Sequence, residues 1–422
     1  MQNVFMCIDL KTFYASVECV ERGLDPFSVD LVVADPSRGK GAICLAISPH
    51  LKLLGVKNRC RLYEIPSSIK YIIAVPRMAK YIEYSANIYK LYLKYFSADD
   101  MHVYSIDEVF IDVTHYLNMY KTRALGLAKT VIQDILDTFG ITATCGIGSN
   151  MYLAKIALDI MSKHSITNIG WLDEEKYMKE LWHHRPLTDF WQVGPGTARR
   201  LKKFRALDMY DIAHLDPKLL YKEFGVNAEF LIDHAWGREP CTIAAIKAYK
   251  PKSQSLSGSQ ILFSDYTYEK ARIVLKEMVE MKSLELIKHN LSTDSISLYI
   301  GYSKDVIPHT GGMARLHTRT NTYSELVEAF LHLYDKTTDN YTLIRRIGIS
   351  LNHLEPAGFK QLSLFEDNKL NQKEKKIEKA IISVKAKMGP NSILKGMNLQ
   401  EGATQKIRNG LIGGHNANAE VI

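Results

Sequence analysis

Three acidic residues, Asp9, Asp107 and Glu108, each stand beside a run of apolar residues, where a carboxylate is costly unless a cation accompanies it. Asp9 ends Val4-Phe5-Met6-Cys7-Ile8, a short continuous apolar run of the kind that forms a buried strand. Asp107 and Glu108 interrupt Met101 to Val113, which is rich in strand formers on both sides of the pair. Neighbours on a regular strand face opposite ways, so both acids meet Asp9 only if the chain bends into a hairpin near them. Three carboxylates so gathered would bind two Mg²⁺ ions through hard oxygen ligands, and such ions clamp the attacking and leaving oxygens of a phosphoryl transfer. The same acids could instead pair with Lys or Arg or lie in exposed turns, and residue type alone does not separate the two arrangements.

Around these acids, strand and helix patterns alternate. Thr12 is a candidate N-cap for a helix entered straight from the first strand. Pro36-Ser37-Arg38-Gly39-Lys40-Gly41 is a basic, Gly-rich turn between expected strands at Leu31 to Val33 and Ala42 to Ile47. Positions 78, 81, 82, 88, 89, 92 and 96 follow helical spacing, interrupted at Ser85. Leu125 to Phe139 reads as an amphipathic helix, Thr142 to Gly146 as a strand and Met151 to Lys163 as a helix, so the first 170 residues form an α+β or α/β layer. Residues 171–240 are mostly helical in pattern, with a hairpin at Phe190 to Leu201. Ile243 to Lys252 reads as a basic linker around Pro251. Strand 254–263, helix 267–289, strands 294–303 and 313–320, helix 322–337 and strand 343–354 then spell βαββαβ, a separate small domain. In the last 65 residues, Ile377, Ile381 and Val384 mark a narrow helical stripe, and Asn409 to Ala419 is expected to be disordered.

A length of 422 residues accommodates about three domains, each with its own core, which excludes a disulfide-stapled miniprotein. Hydrophobic residues are 46% and charged residues 24%, and no run approaches the ~18 apolar residues of a membrane span. The residues before Asp9 lack a basic n-region, so a cytoplasmic location without a membrane partner is expected. Six scattered cysteines without a C-x-x-C pair signal neither a zinc site nor a disulfide framework. Lys and Arg outnumber Asp and Glu by 54 to 46, a net +8 that suits a polyanionic partner.

Asp9-Leu10-Lys11-Thr12-Phe13-Tyr14-Ala15-Ser16-Val17-Glu18 and Tyr104-Ser105-Ile106-Asp107-Glu108 resemble the two signature motifs of the Y-family translesion DNA polymerases. Gly146-Ile147-Gly148-Ser149-Asn150-Met151-Tyr152-Leu153-Ala154-Lys155-Ile156-Ala157 is similar to that family's later palm motif, and the resemblance runs in order from residue 1 to about 356. It implies an α+β multidomain right hand: palm at 1–24 and 77–170, small fingers at 25–76, a helical thumb with a helix-hairpin-helix at 171–242, a linker at 243–252, a βαββαβ little finger at 253–356, and a clamp-binding peptide with a flexible tail at 357–422. The implied activity is error-prone, template-directed DNA synthesis across damage, in repair or the SOS response, from primer-template DNA and dNTPs. A catalytically silent DNA- and clamp-binding scaffold is the alternative, disfavoured because all three acids are present. A cyclase or nuclease on a palm is a further one.

Carried over residue by residue, the resemblance makes Asp9, Asp107 and Glu108 the catalytic ligands of two Mg²⁺ ions, with Mn²⁺ as a substitute and the Leu10 carbonyl as a further ligand. Phe13 and Tyr14 would lie under the incoming nucleotide, Tyr14 as the steric gate that overlaps a ribose 2′-hydroxyl, and Lys163 would reach the triphosphate. Where many members place a tyrosine and an arginine before Gly-Val, this chain has Pro49 and Lys52 ahead of Gly55-Val56, which supplies charge without a bidentate fork. A lysine there resembles the bacterial UmuC-like branch. That branch often acts with a processed accessory subunit and a recombinase filament.

Gly194 and Gly196 flank Pro195 in a turn resembling a helix-hairpin-helix, whose backbone amides bind DNA phosphates without reading bases. Ser253, Ser255, Ser257 and Ser259 share one face of the first little-finger strand, and Lys252, Arg315, Arg319, Arg345 and Arg346 could flank a sheet lying in a groove. Bases there number only 13 against 12 acids between Lys250 and Pro356, so any basic face must come from sidedness. Gln361-Leu362-Ser363-Leu364-Phe365 resembles the bacterial sliding-clamp-binding motif, with Gln361 anchoring by hydrogen bonds while Leu364 and Phe365 fill an apolar pocket.

Overall fold

The computed structural model describes residues 3–162, 165–358 and 368–418. The chain divides into two compact units, one reaching Tyr249 and the other spanning Lys250–Ala417. Among the described residues no helix is long and apolar enough to cross a membrane.

In the first unit the apolar run becomes β1 (Phe5–Leu10), buried on both sides. Thr12 takes a left-handed conformation with φ 46° and no side-chain cap to the backbone, so it acts as a pivot rather than the expected N-cap. That pivot turns the chain from β1 into α1 (Phe13–Glu21) within two residues. A small sheet follows, with β2 (Leu31–Val33) between β3 (Ala46–Ile47) and β4 (Ile72–Ala74). Then come α2 (Met78–Tyr92), β5 (Met101–Val103), β6 (Glu108–Asp112), α3 (Ala124–Phe139), β7 (Ala143–Gly148), α4 (Met151–Ile156), β8 (Ile169–Leu172) and, after the Gly194 turn, α5 (Pro195–Leu201). The main sheet runs β5-β6-β1-β7-β8, which places β1 centrally between two antiparallel partners. α2 passes unbroken through Ser85, contrary to the expected interruption, because the Ser85 hydroxyl donates outward to the Ile106 carbonyl at 2.6 Å. α4 runs on into a widened π turn over Ala157–Met161, a geometry found mostly at functional sites.

α4 crosses β7 so closely that only glycine fits beneath it. A Cβ added at Gly146 would stand 2.0 Å from the Ala154 carbonyl oxygen and 2.3 Å from the Leu158 nitrogen, both backbone atoms that cannot swing aside. Gly146→Ala is therefore expected to destabilise the first unit by about 3 kcal/mol, read as a lower denaturant midpoint at unchanged m-value. An unchanged midpoint would mean that the helix retreats at no cost.

The segment read as a linker instead forms a short helix, Ile243–Ala248, capped by the Thr242 hydroxyl. Thr242 offers its oxygen to the Ala245 amide, and Ile243 is buried, which stabilises a helical turn in a segment whose composition reads as a linker.

The second unit is built as βαββαβ: β9 (Leu256–Tyr266), α6 (Tyr268–Lys288), β10 (Leu291–Tyr302), β11 (Thr310–Thr320), α7 (Tyr323–Thr337) and β12 (Ile344–Asn352). Its sheet order is β11-β10-β12-β9, all antiparallel, with the apolar faces of α6 and α7 filling one side. Of the expected flexible tail, residues 368–418 are folded. α8 (Asn368–Met388) lies along α6, followed by α9 (Gln405–Arg408) and a hairpin pairing Leu411–Ile412 with His415–Asn416 where disorder was expected. The reason is polar rather than apolar: Glu277 of α6, fully buried, gathers donors from Asn398, Thr404 and Gln405. Glu374 and Glu378 accept from the Ser324 and Tyr323 amides at the start of α7, a helix end that favours carboxylates.

Candidate active site

Antiparallel pairing of β1 with β6 sets Asp9 directly opposite Glu108. The hairpin expected between β5 and β6 turns at residues 104–107, closed by the Tyr104 and Ser105 amides donating to the Glu108 carbonyl at 3.0 and 3.1 Å. The Leu10 amide donates to the Asp107 carbonyl at 3.0 Å, pinning the turn against the end of β1. Asp9, Leu10, Asp107 and Glu108 thus meet at one end of the sheet's inner strands, where β1 finishes and β6 begins.

Their charges act on one another. Burial, then Asp107 and Glu108, push the Asp9 carboxyl up to about 7, while Lys155 pulls the other way. The side chains are neighbours without forming a ready ligand set: among the described residues no three His, Cys, Asp or Glu side chains converge as a metal site. Asp107 accepts from the Ser105 hydroxyl at 2.6 Å. Glu108 is drawn to Lys155, whose Nζ stands 3.0 Å away and also bonds Asp159 at 3.0 Å. The buried Cys7 thiol donates to Glu108 at 3.1 Å, and its own pKa rises through burial and then Glu108, so it stays a protonated donor. Burial opposes the Lys155 charge, but Asp159 and then Glu108 outweigh it and push its pKa up, which makes it a fixed cation. Divalent cations fit this donor set: the oxygens are hard, and the crowding that raises Asp9 is the negative charge such ions relieve.

Phe13 is buried in the core of the first unit, and Tyr14 is half-buried beside it. The Tyr14 ring stacks on Tyr81 with centroids 4.6 Å apart at 21°. Tyr81 is itself immobilised, its hydroxyl donating at 2.7 Å to the buried Glu18, which Arg77 grips with two bonds of 2.9 and 3.0 Å. Burial, then Asp107, push the Tyr14 phenol up, while the Arg59 charge pulls it down. Lys52 lies exposed on the short helix Pro49–Leu53, whose first turn Pro49 occupies and Ser48 caps. Lys163 lies outside the described residues, as do Gln361, Leu364 and Phe365.

Gly194 and Gly196 are exposed, Gly194 as the cap of α5, with open space where side chains would be. In the second unit Ser255 and Ser257 are exposed, with Ser257 opposite Ser350 on the sheet face that carries no helix, and Arg315 is exposed on β11. Arg345 is turned to Asp265 at 3.4 Å, and the exposed arginine on that strand is Arg346, opposite Ile261. The residues that sequence reasoning did not single out are Cys7, Arg59, Tyr81 and Lys155. Lys155 lay within the third motif and carried its own signal, a lysine in a run otherwise apolar enough to be buried.

Residues 8–159 match the family model described as the impB/mucB/samB family, and residues 253–364 match that family's C-terminal domain. The chain is 34% identical over 418 residues to "Putative UV-damage repair protein UvrX" of Bacillus subtilis (strain 168), covering 97% of each chain. It is 27% identical to "DNA polymerase IV 2" of the same organism, over 98% of this chain and 99% of that one. Among solved structures, the "Y-family DNA polymerase chimera Dbh-Dpo4(243-245)-Dbh" superposes with a TM-score of 0.64 at 22% identity, covering 83% of this chain and 98% of the chimera.

Proposed function

Because the chain belongs to the impB/mucB/samB family, the bacterial UmuC-like Y-family DNA polymerases, we propose that this DNA-directed DNA polymerase carries out error-prone synthesis across damaged template in the SOS response. The observation that carries the catalytic part is the Asp9–Glu108 rung with Asp107 pinned beside it. Palm (1–24 and 77–170), fingers (25–76), thumb (171–242) and little finger (253–356) follow the motif order. The folded 368–418 segment extends the last of these.

Asp9, Asp107, Glu108 and the Leu10 carbonyl would hold two divalent ions, Mg²⁺ or in its place Mn²⁺. Such ions, when bound, activate the primer 3′-hydroxyl and stabilise the charge on departing pyrophosphate. Lys155 holds Glu108 at one end of the cluster and fixes where its carboxylate points. The Phe13 and Tyr14 amides, Lys52 and Lys163 would supply donors and charge for the triphosphate, and Arg59, whose charge acts on the Tyr14 phenol, would add the guanidinium that the Pro49 and Lys52 segment lacks. Gly194, Gly196, Ser255, Ser257, Arg315 and Arg345 would border the primer-template, while Gln361, Leu364 and Phe365 would tether the enzyme to the sliding clamp and raise its local concentration there. A processed accessory subunit and a recombinase filament are further proposed partners, in the cytoplasm.

Primer extension with Mg²⁺ and dNTPs across an undamaged and an abasic template tests the reading. Product is expected on both, and a failure to pass the abasic site would remove the translesion assignment while leaving the polymerase. Tyr14→Ala, which deletes the ring backed by Tyr81, is expected to lower the deoxy-to-ribo ratio of kcat/KM by about 100-fold. An unchanged ratio would take the gate away from Tyr14.

A further inference from the structure

The net charge of +8 is not spread over the molecule. Residues 368–418 hold ten Lys and Arg against three Glu and no Asp, an excess of seven, which leaves the other 371 residues nearly neutral. The fold then sorts this segment by sign. Glu374 and Glu378 of α8 point inward to the start of α7, and Lys395 lies over the Tyr323 ring toward Glu280. On the outward side Lys373, Lys376, Lys379 and Lys387 are exposed and make no ion pair or side-chain hydrogen bond among the described residues. At 100° per residue these four occupy about 120° of the helix, opposite the two glutamates, and they extend along ~21 Å of its axis. That length matches about six steps of 3.4 Å along a DNA strand.

We propose that this outward face of α8 is a DNA-binding surface that takes the phosphate backbone without reading sequence, separate from the helix-free face of the β9–β12 sheet. The choice of DNA as the polyanion rests on the polymerase reading. A nearly neutral remainder gives the enzyme little long-range attraction for duplex, and the lysine face supplies it through counterion release. Because α8 lies on the helical side of its unit, the phosphates it takes are not those that would face Ser257 and Arg346, so it holds a further stretch of DNA.

The test is fluorescence anisotropy of the full chain on a fluorescein-labelled primer-template from 50 to 200 mM salt, comparing wild type with Lys373→Gln/Lys376→Gln/Lys379→Gln/Lys387→Gln. The slope of log K against log salt should fall by up to about 3.6, at ~0.9 for each of the four phosphate contacts, and affinity at 100 mM salt should drop at least 10-fold. The matching Lys→Arg quadruple should restore both, and the thermal midpoint should not move because these side chains hold no partner among the described residues. An unchanged slope and affinity in the Gln variant would overturn the proposal, as would loss of binding only to phosphatidylserine vesicles. Primer extension by wild type keeps the two readings apart. No extension sinks the polymerase reading, whereas extension with DNA binding unaltered by the substitutions sinks only this one.

Discussion

Asp107→Asn should reduce primer extension at least 10³-fold, a loss of about 4 kcal/mol of transition-state stabilisation, while leaving the fold intact. The substitution separates charge from shape. The new amide would still offer an oxygen to the Ser105 hydroxyl, which bonds the present carboxylate at 2.6 Å, and the backbone bond from the Leu10 amide to the carbonyl at this position is unaffected. What disappears is the largest of the negative charges that, after burial, raise the Asp9 carboxyl to about 7. Asp9 should therefore ionise more readily in the variant, yet the cluster would offer divalent ions one formal charge fewer. Wild type and variant are compared by single-turnover extension at saturating Mg²⁺, with thermal midpoints measured alongside. Equal extension rates would end the catalytic assignment, and a collapsed midpoint would show that Asp107 holds the hairpin rather than the reaction.

Glu277→Ala should lower the stability of the second unit by on the order of 4 kcal/mol, or roughly 10 °C in midpoint for a domain of this size. Glu277 is fully buried and accepts from Asn398 Nδ2 at 3.0 Å, the Thr404 amide at 2.7 Å, the Thr404 hydroxyl at 3.2 Å and the Gln405 amide at 3.2 Å. Removing the carboxylate leaves these donors buried without the acceptor they share. Thr404→Val, which deletes only the hydroxyl donor, should cost about 1 kcal/mol by the same measurement. Deleting residues 366–422 should act in the same direction as Glu277→Ala, since it strips α6 of the segment that surrounds this carboxylate. If the truncated chain melts like the full one, residues 368–418 contribute nothing to the stability of the unit.

Much of the site could be read from the chain itself. A carboxylate beside an apolar strand is expensive unless a cation accompanies it, so position made Asp9, Asp107 and Glu108 candidates and the motifs around them chose metal binding over ordinary ion pairs. The βαββαβ order was equally legible, because strand and helix periodicities switch there with clean boundaries. Lys155, Cys7 and Tyr81 were not. Each looks like an ordinary core or helix residue, and its role depends on which strand or ring the fold sets beside it. The tail was misjudged for a related reason. Its composition is polar and lysine-rich, the signature of disorder, and it is ordered by polar partners far back in the chain, among them a buried carboxylate about 120 positions earlier, with which no local pattern connects it.

Local order along the chain was enough to set the elements, the acids at their ends and the polyanion-seeking charge, since these follow from short-range periodicity and from the cost of burying a charge. Folding chose the partners: Glu108 with Lys155, Tyr14 with Tyr81, Glu277 with Thr404, and four lysines turned outward while two glutamates turn in. Pairing energies depend on distance in space, and residues remote in sequence acquire that distance only when the chain closes its sheets.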